Sequence, residues 1–120
     1  MDIEHYKRRL LEEEQRLLAL VERTKEEARG ATPDSVHDRT DESVLDEVKE
    51  ELFEEAETYW ETLKQVRAAR QRIEDGTFGR CLVDGEPIDE KRLEATPWAA
   101  YCRRHQEERE RSSSLKTPSL

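Results

Sequence analysis

The sequence predicts a mainly α fold: an antiparallel coiled-coil helical hairpin with a small zinc-finger-like base. Three observations carry that expectation. Apolar residues recur every seven positions along two long segments, a Gly/Pro-containing break separates the segments, and both cysteines fall in a turn-rich stretch after the second one. Composition agrees. Of 120 residues, 42% are charged and 33% hydrophobic, against roughly 25% and 45–50% in an ordinary globular domain. Such a chain cannot build one large core.

The first helix is expected over residues 3–29. No Pro or Gly interrupts the chain between Asp2 and Arg29, and Leu, Glu, Arg, Gln and Ala dominate it, all good helix formers. Ile3, Leu10 and Leu17 recur at seven-residue spacing, Tyr6 and Leu20 take the intermediate positions, and Leu11, Leu18 and Val21 widen the stripe. That is a coiled-coil or hairpin face. Gly30-Ala31-Thr32-Pro33-Asp34-Ser35 ends it: Gly30 suits the position just past a helix, and Pro33 cannot continue one.

A second helix should begin between Asp38 and Ser43, where several side chains can cap free backbone N–H groups, and run to about Glu74. Leu45, Leu52, Tyr59, Val66 and Ile73 form an unbroken seven-residue series, with Val48, Ala56, Leu63 and Ala69 on the same side. Two helices of similar length joined by a short break fold back on each other; the break favours this over a parallel dimeric coiled coil. Phe53 and Trp60 fall off the series. They are either contact residues for a partner or packed against the other arm.

The base should span residues 75–111 and end in a helix, with the hairpin over 1–74 and a disordered tail over 112–120. Asp75-Gly76-Thr77-Phe78-Gly79-Arg80-Cys81 is turn-rich, and the tail is rich in serine. Asp84 follows Cys81 by three residues, and His105 follows Cys102 by three. Ligand pairs at i and i+3 on two knuckles, 15–20 residues apart, are the layout of a structural zinc ribbon. Three readings stand: one structural zinc held by Cys81, Asp84, Cys102 and His105; a metal-free finger packed through Phe78, Leu82, Ile88, Leu93, Trp98 and Tyr101; and a Cys81–Cys102 disulfide, which a reducing cytosol disfavours.

Charge excludes several function classes. The net charge is −9, and residues 34–57 alone carry 11 acidic and 2 basic side chains. Such a patch repels phosphates, so direct sequence-specific DNA binding is not expected; it favours a basic protein surface or a cation. No stretch approaches the ~20 apolar residues of a membrane span. Met1-Asp2-Ile3-Glu4-His5-Tyr6 shows no apolar run after a basic start, so a cytoplasmic protein is expected, and a hairpin closed on itself is expected to be a monomer. Enzyme chemistry is not expected either. No Gly-rich phosphate loop or nucleophile elbow is present, and His5, His37 and His105 are scattered.

Arg72-Ile73-Glu74-Asp75-Gly76-Thr77-Phe78-Gly79-Arg80-Cys81, then Asp84-Gly85-Glu86-Pro87-Ile88 and Arg92-Leu93-Glu94-Ala95-Thr96-Pro97, resemble the zinc-finger signature of the TraR/DksA family. Two of the family's four metal positions are kept as Cys81 and Cys102; Asp84 and His105 stand at the others. Upstream, Asp38-Arg39-Thr40-Asp41-Glu42-Ser43 matches the family's Asp-x-x-Asp-x-Ala apex motif, with Ser43 in place of alanine. The resemblance implies a bacterial transcription factor that binds RNA polymerase through its secondary channel and modulates initiation with an acidic coiled-coil tip at Asp38, Asp41 and Ser43. Helix capping alone also accounts for the aspartates. Response to ppGpp stays open. Gln65 and Thr96 stand where responsive members carry basic residues, with Arg67, Lys91 and Arg92 nearby. The competing class is a non-catalytic coiled-coil adaptor with a degenerate zinc finger.

Overall fold

The structure, a computed structural model, describes residues 1–30 and 42–115. Among them are four helices: α1 (Ile3–Gly30), α2 (Glu42–Asp75), α3 (Glu90–Ala95) and α4 (Arg103–Leu115). Asp38 and Asp41 lie outside the described residues, and Ser43 is the second residue of α2. Helix α4 continues through Leu115 into the serine-rich stretch; residues 116–120 lie outside the described ones.

The ends of the long helices follow local chemistry. At the start of α1 the Asp2 carboxylate accepts the His5 N–H at 3.2 Å, satisfying a donor that has no partner within the helix. Gly30 closes α1 as its last helical residue, not as the left-handed residue beyond it. That role belongs to Gly76 after α2, with φ +77°. Its N–H donates to Ile73 O at 3.2 Å, and the Thr77 N–H donates to Arg72 O at 2.9 Å. The pair forms a Schellman cap, in which two orphan carbonyls are satisfied by a turn that glycine adopts without strain.

The described chain divides into two compact units. Among the described residues, one comprises 11–30 and 42–65, the other 1–10 with 66–115. In the first, α1 and α2 form an antiparallel helical hairpin, with Val21 and Lys25 beside Phe53, Ala56 and Trp60. Its buried residues are Leu17, Val21, Thr24 and Ala28 from α1 and Ala56 and Leu63 from α2. Thr24 is the polar member, and its hydroxyl donates to Leu20 O at 2.8 Å, so its own buried donor is met.

The buried face departs from the seven-residue series. Ile3, Leu11 and Val48 are exposed at 38%, 37% and 40%, and Leu18, Leu20, Leu52 and Tyr59 are half-buried. In α1 the intermediate series through Tyr6 turns outward at Leu20, and Val21 and Ala28, one position further round, replace it. A straight α-helix drifts by about 20° per heptad relative to a 3.5-residue repeat. The buried pair Tyr6 and Leu10 accordingly returns as Thr24 and Ala28, an interval of five 3.6-residue turns.

The second unit builds its core from Tyr6, Leu10, Val66, Ala69, Phe78, Ile88, Leu93 and Ala99. The Tyr6 and Phe78 rings lie 5.5 Å apart, tilted by 44°, within the range of favourable aromatic pairs. Phe78, Ile88 and Leu93 are buried as the sequence suggests, and Trp98 and Tyr101 are half-buried. Leu82 is not part of this core. It is 57% exposed, because it lies in the turn between Cys81 and Asp84, whose donor atoms face each other and not the core.

Candidate metal centre

A short antiparallel pairing presents the first knuckle. The Ile88 N–H donates to Gly79 O at 2.7 Å and the Cys81 N–H to Glu86 O at 2.8 Å, around an Arg80–Pro87 bridge. Between the paired segments the chain must reverse. Gly85, at φ +73°, donates its N–H to Cys81 O at 2.9 Å, and the Asp84 carboxylate accepts the Glu86 N–H at 3.0 Å. The second knuckle is a helix start. Cys102 immediately precedes α4, its carbonyl accepts the Gln106 N–H at 2.9 Å, and His105 lies in the first turn. The Leu82 N–H donates to Ala100 O at 2.9 Å, tying one knuckle to the segment that leads into the other.

The four sequence-predicted residues come together. One donor atom from each of Cys81, Asp84, Cys102 and His105 lies within 4.8 Å of all the others. His105 Nδ1 is 3.4 Å from Cys81 Sγ, 3.1 Å from Cys102 Sγ and 3.4 Å from Asp84 Oδ2. With zinc–ligand bonds of about 2.0–2.3 Å, the edges of a tetrahedral site come to about 3.3–3.8 Å, so these spacings are close to those of a zinc cage. One ring nitrogen facing two sulfurs and a carboxylate cannot satisfy all three with a single proton. A cation among them can. The donor set fits zinc, which accepts thiolate, imidazole and carboxylate alike.

Electrostatics favours the metal-competent forms. Burial pushes the Cys81 thiol up, but hydrogen bonds from the backbone at Cys102, Val83 and Asp84, and from the Cys102 side chain, outweigh it and lower its pKa. The Asp84 carboxyl is held below its ordinary range, first by the Glu86 N–H and further by Cys81 and His105. Both cysteines are free thiols in this structure.

A second constellation was invisible in the sequence. Glu94 at the end of α3 meets His5 Nε2 at 3.0 Å and Arg9 Nη1 at 3.1 Å, both on α1. Arg9 also donates to the Glu94 carbonyl. The His5 contact comes first in lowering the Glu94 pKa, and the Tyr6 hydroxyl and Arg9 add to it. Tyr6 itself is 1% exposed. Its hydroxyl lies against this carboxylate without meeting hydrogen-bond geometry, and burial, then Glu94, push its pKa up to about 12. Contacts across 85 to 89 residues leave no local spacing to read. Arg103 and Arg104 pair with Glu107 and Glu108 one turn on, and Arg80 donates to Gly85 O.

A helical hairpin with a two-knuckle Cys/Asp/Cys/His base defines a zinc-finger-type protein. Residues 76–111 match the profile of the prokaryotic dksA/traR C4-type zinc finger. The whole chain is 34% identical over 119 residues to an uncharacterized protein of Aquifex aeolicus, covering 98% of this chain and 82% of that one. Over 49 residues, 41% of this chain and 34% of the other, it is 43% identical to the RNA polymerase-binding transcription factor DksA of Caulobacter vibrioides. The match thus spans about a third of that characterised relative. Among solved structures, transcription factor DksA2 from Pseudomonas aeruginosa superposes with a TM-score of 0.80 at 26% identity, over 93% of this chain and 85% of that one. The chain belongs to the DksA/TraR family, whose transcription factors are non-catalytic. It departs from the C4 pattern in having two cysteines, with Asp84 and His105 completing the cluster. Among the described residues no helix is long and apolar enough to cross a membrane.

Proposed function

We propose that the protein is a cytoplasmic DksA-type transcription regulator that binds RNA polymerase through the secondary channel and modulates initiation with its acidic hairpin tip. The observation that carries this reading is the likeness of nearly the whole chain to DksA2, hairpin and base together. The local identity to an RNA polymerase-binding DksA supports it. Residues 34–57, with 11 acidic and 2 basic side chains, suit a channel lined by basic groups or a bound cation. Regulation follows if the tip binds one state of the initiation complex more tightly than another, because only differential affinity shifts an equilibrium.

Within this reading Asp38, Asp41 and Ser43 form the working tip. Cys81, Asp84, Cys102 and His105 would hold one structural zinc, which would cross-link the first knuckle to the start of α4. The chain's own hydrogen bonds already bring those segments together, so the base keeps its topology through packing as well. The test is Asp41→Asn in a reconstituted transcription assay with purified bacterial polymerase. The variant should bind polymerase and melt as the parent does, yet lose the effect on initiation. Parallel loss of stability and regulation would assign Asp41 to helix capping and sink the tip mechanism.

A further inference from the structure

The four donors of the metal cluster are not held alike. Cys81 is 3% exposed, and its N–H is fixed to Glu86 O at 2.8 Å. Cys102 and His105 stand at the start of α4, Cys102 half-buried and the His105 side chain 13% exposed. Asp84 is the outlier. Its side chain is 37% exposed, and Leu82, Val83, Gly85 and Glu86 around it are exposed as well. A Cβ built on Gly85 would meet nothing within 4 Å. Three donors are thus sheltered by the fold, and one sits on an outer turn with open space beside it.

The Asp84 carboxylate also has a second attachment. Oδ2 faces His105 Nδ1 at 3.4 Å, while Oδ1 accepts the Glu86 N–H at 3.0 Å. One oxygen keeps its partner when the other lets go, and water reaches both, so release strands no buried charge. Ligand chemistry points the same way. Structural zinc sites are closed by four Cys or His donors, whereas sites with three protein donors of this kind keep the fourth place for a molecule from outside. Thiolate is a softer donor than carboxylate and competes with it for zinc. A base with four cysteines has no such weak place; here it falls at Asp84.

We propose that Asp84 is an exchangeable ligand, and that a small thiol takes its place on the bound metal while Cys81, Cys102 and His105 stay attached. In this step the metal–oxygen bond to Asp84 breaks and a metal–sulfur bond forms. The thiol proton passes to solvent, and no electron is transferred. Metal enters and leaves the base from that side. The inference rests on the metal site proposed above and adds to it the position at which the site opens.

The test uses the full chain loaded with cobalt(II), whose absorption reports both geometry and bound sulfur, with a phosphine present throughout to keep both cysteines reduced. On titration with mercaptoethanol into the millimolar range, the sulfur-to-cobalt charge-transfer band should grow by about half, as two bound thiolates become three. The tetrahedral d–d bands should persist, and the metal should stay with the protein on gel filtration. Asp84→Cys should show the larger band with no thiol added and should not respond to it. That variant should also release zinc to a chromophoric chelator at least about tenfold more slowly than the parent. Circular dichroism reports that its helices persist, and the titration of the parent needs no substitution at all. A band unmoved by the thiol, or tetrahedral bands lost as the metal is stripped, would overturn the exchange while leaving the metal site in place. A parent that binds neither cobalt nor zinc would remove the metal site and this inference with it. An Asp84→Cys variant whose band still grows on adding thiol would show that another donor is the one displaced, and would overturn the assignment to Asp84.

Discussion

Replacing Tyr6 with phenylalanine removes one oxygen from the centre of the base. The side chain is 1% exposed, its ring packs on Phe78, and its hydroxyl has no hydrogen-bond partner. A buried polar group left unpaired costs about 1–3 kcal/mol. The ring, which supplies the apolar contact, is unchanged by the substitution. Tyr6→Phe should therefore stabilise the protein, by about 1 kcal/mol after allowance for the proximity of Glu94. In urea denaturation followed by circular dichroism the midpoint should rise with the slope unchanged. The alkaline side adds a second readout. The phenol's pKa is 10.0 ordinarily and about 12 in the fold. Between those values the unfolded chain loses its proton while the folded chain keeps it, so stability falls as pH rises. The contribution is fully present below pH 10 and is lost through 12. Tyr6→Phe should lack this fall. A variant less stable than the parent at neutral pH, with the alkaline fall intact, would refute the burial argument.

Three further outcomes follow from the geometry. His105→Ala takes away the nitrogen that faces all three other donors; in competition with a chromophoric chelator its zinc affinity should fall at least about tenfold, and added EDTA should lower the melting temperature of the parent more than that of the variant. Glu94 has a folded pKa below its ordinary 4.5, so its contribution is present above that value and lost as pH falls through the lowered one; Glu94→Gln should flatten that part of an acid-denaturation curve. Gly79→Ala forces a side chain onto φ +83° and sets a Cβ 2.8 Å from Met1 Cε; urea melting should show a loss of about 1–2 kcal/mol from the backbone conformation, and at least as much as for Gly76→Ala, where the Cβ meets nothing within 4 Å.

How much of this was legible depended on the range of the interactions. Helices α1 and α2 were readable because uninterrupted helix formers and apolar periodicity act within a few turns. The metal cluster was readable because each knuckle is itself local: Asp84 follows Cys81 by three residues and His105 follows Cys102 by three. On α1 the stripe includes Val21, which is buried, while Leu20 is only half-buried and Ala28 lies off the seven-residue series, because that template does not carry the drift of a straight helix. The hydrophobicity of Leu82 suits the packed, metal-free finger, but its place inside the first knuckle, between Cys81 and Asp84, leaves it exposed. The His5–Arg9–Glu94 contact had no sequence signal, since exposed charges are plentiful and their partners lie 85 or more residues away.

The central claim is that the hairpin apex works inside RNA polymerase. Its most direct test is the structure of this chain bound to purified bacterial core enzyme, determined by electron microscopy. The account predicts α1 and α2 entering the secondary channel, with Asp38 and Asp41 beside the catalytic magnesium. A complex with the apex in solvent, or with the chain seated on another face of the enzyme, would contradict it.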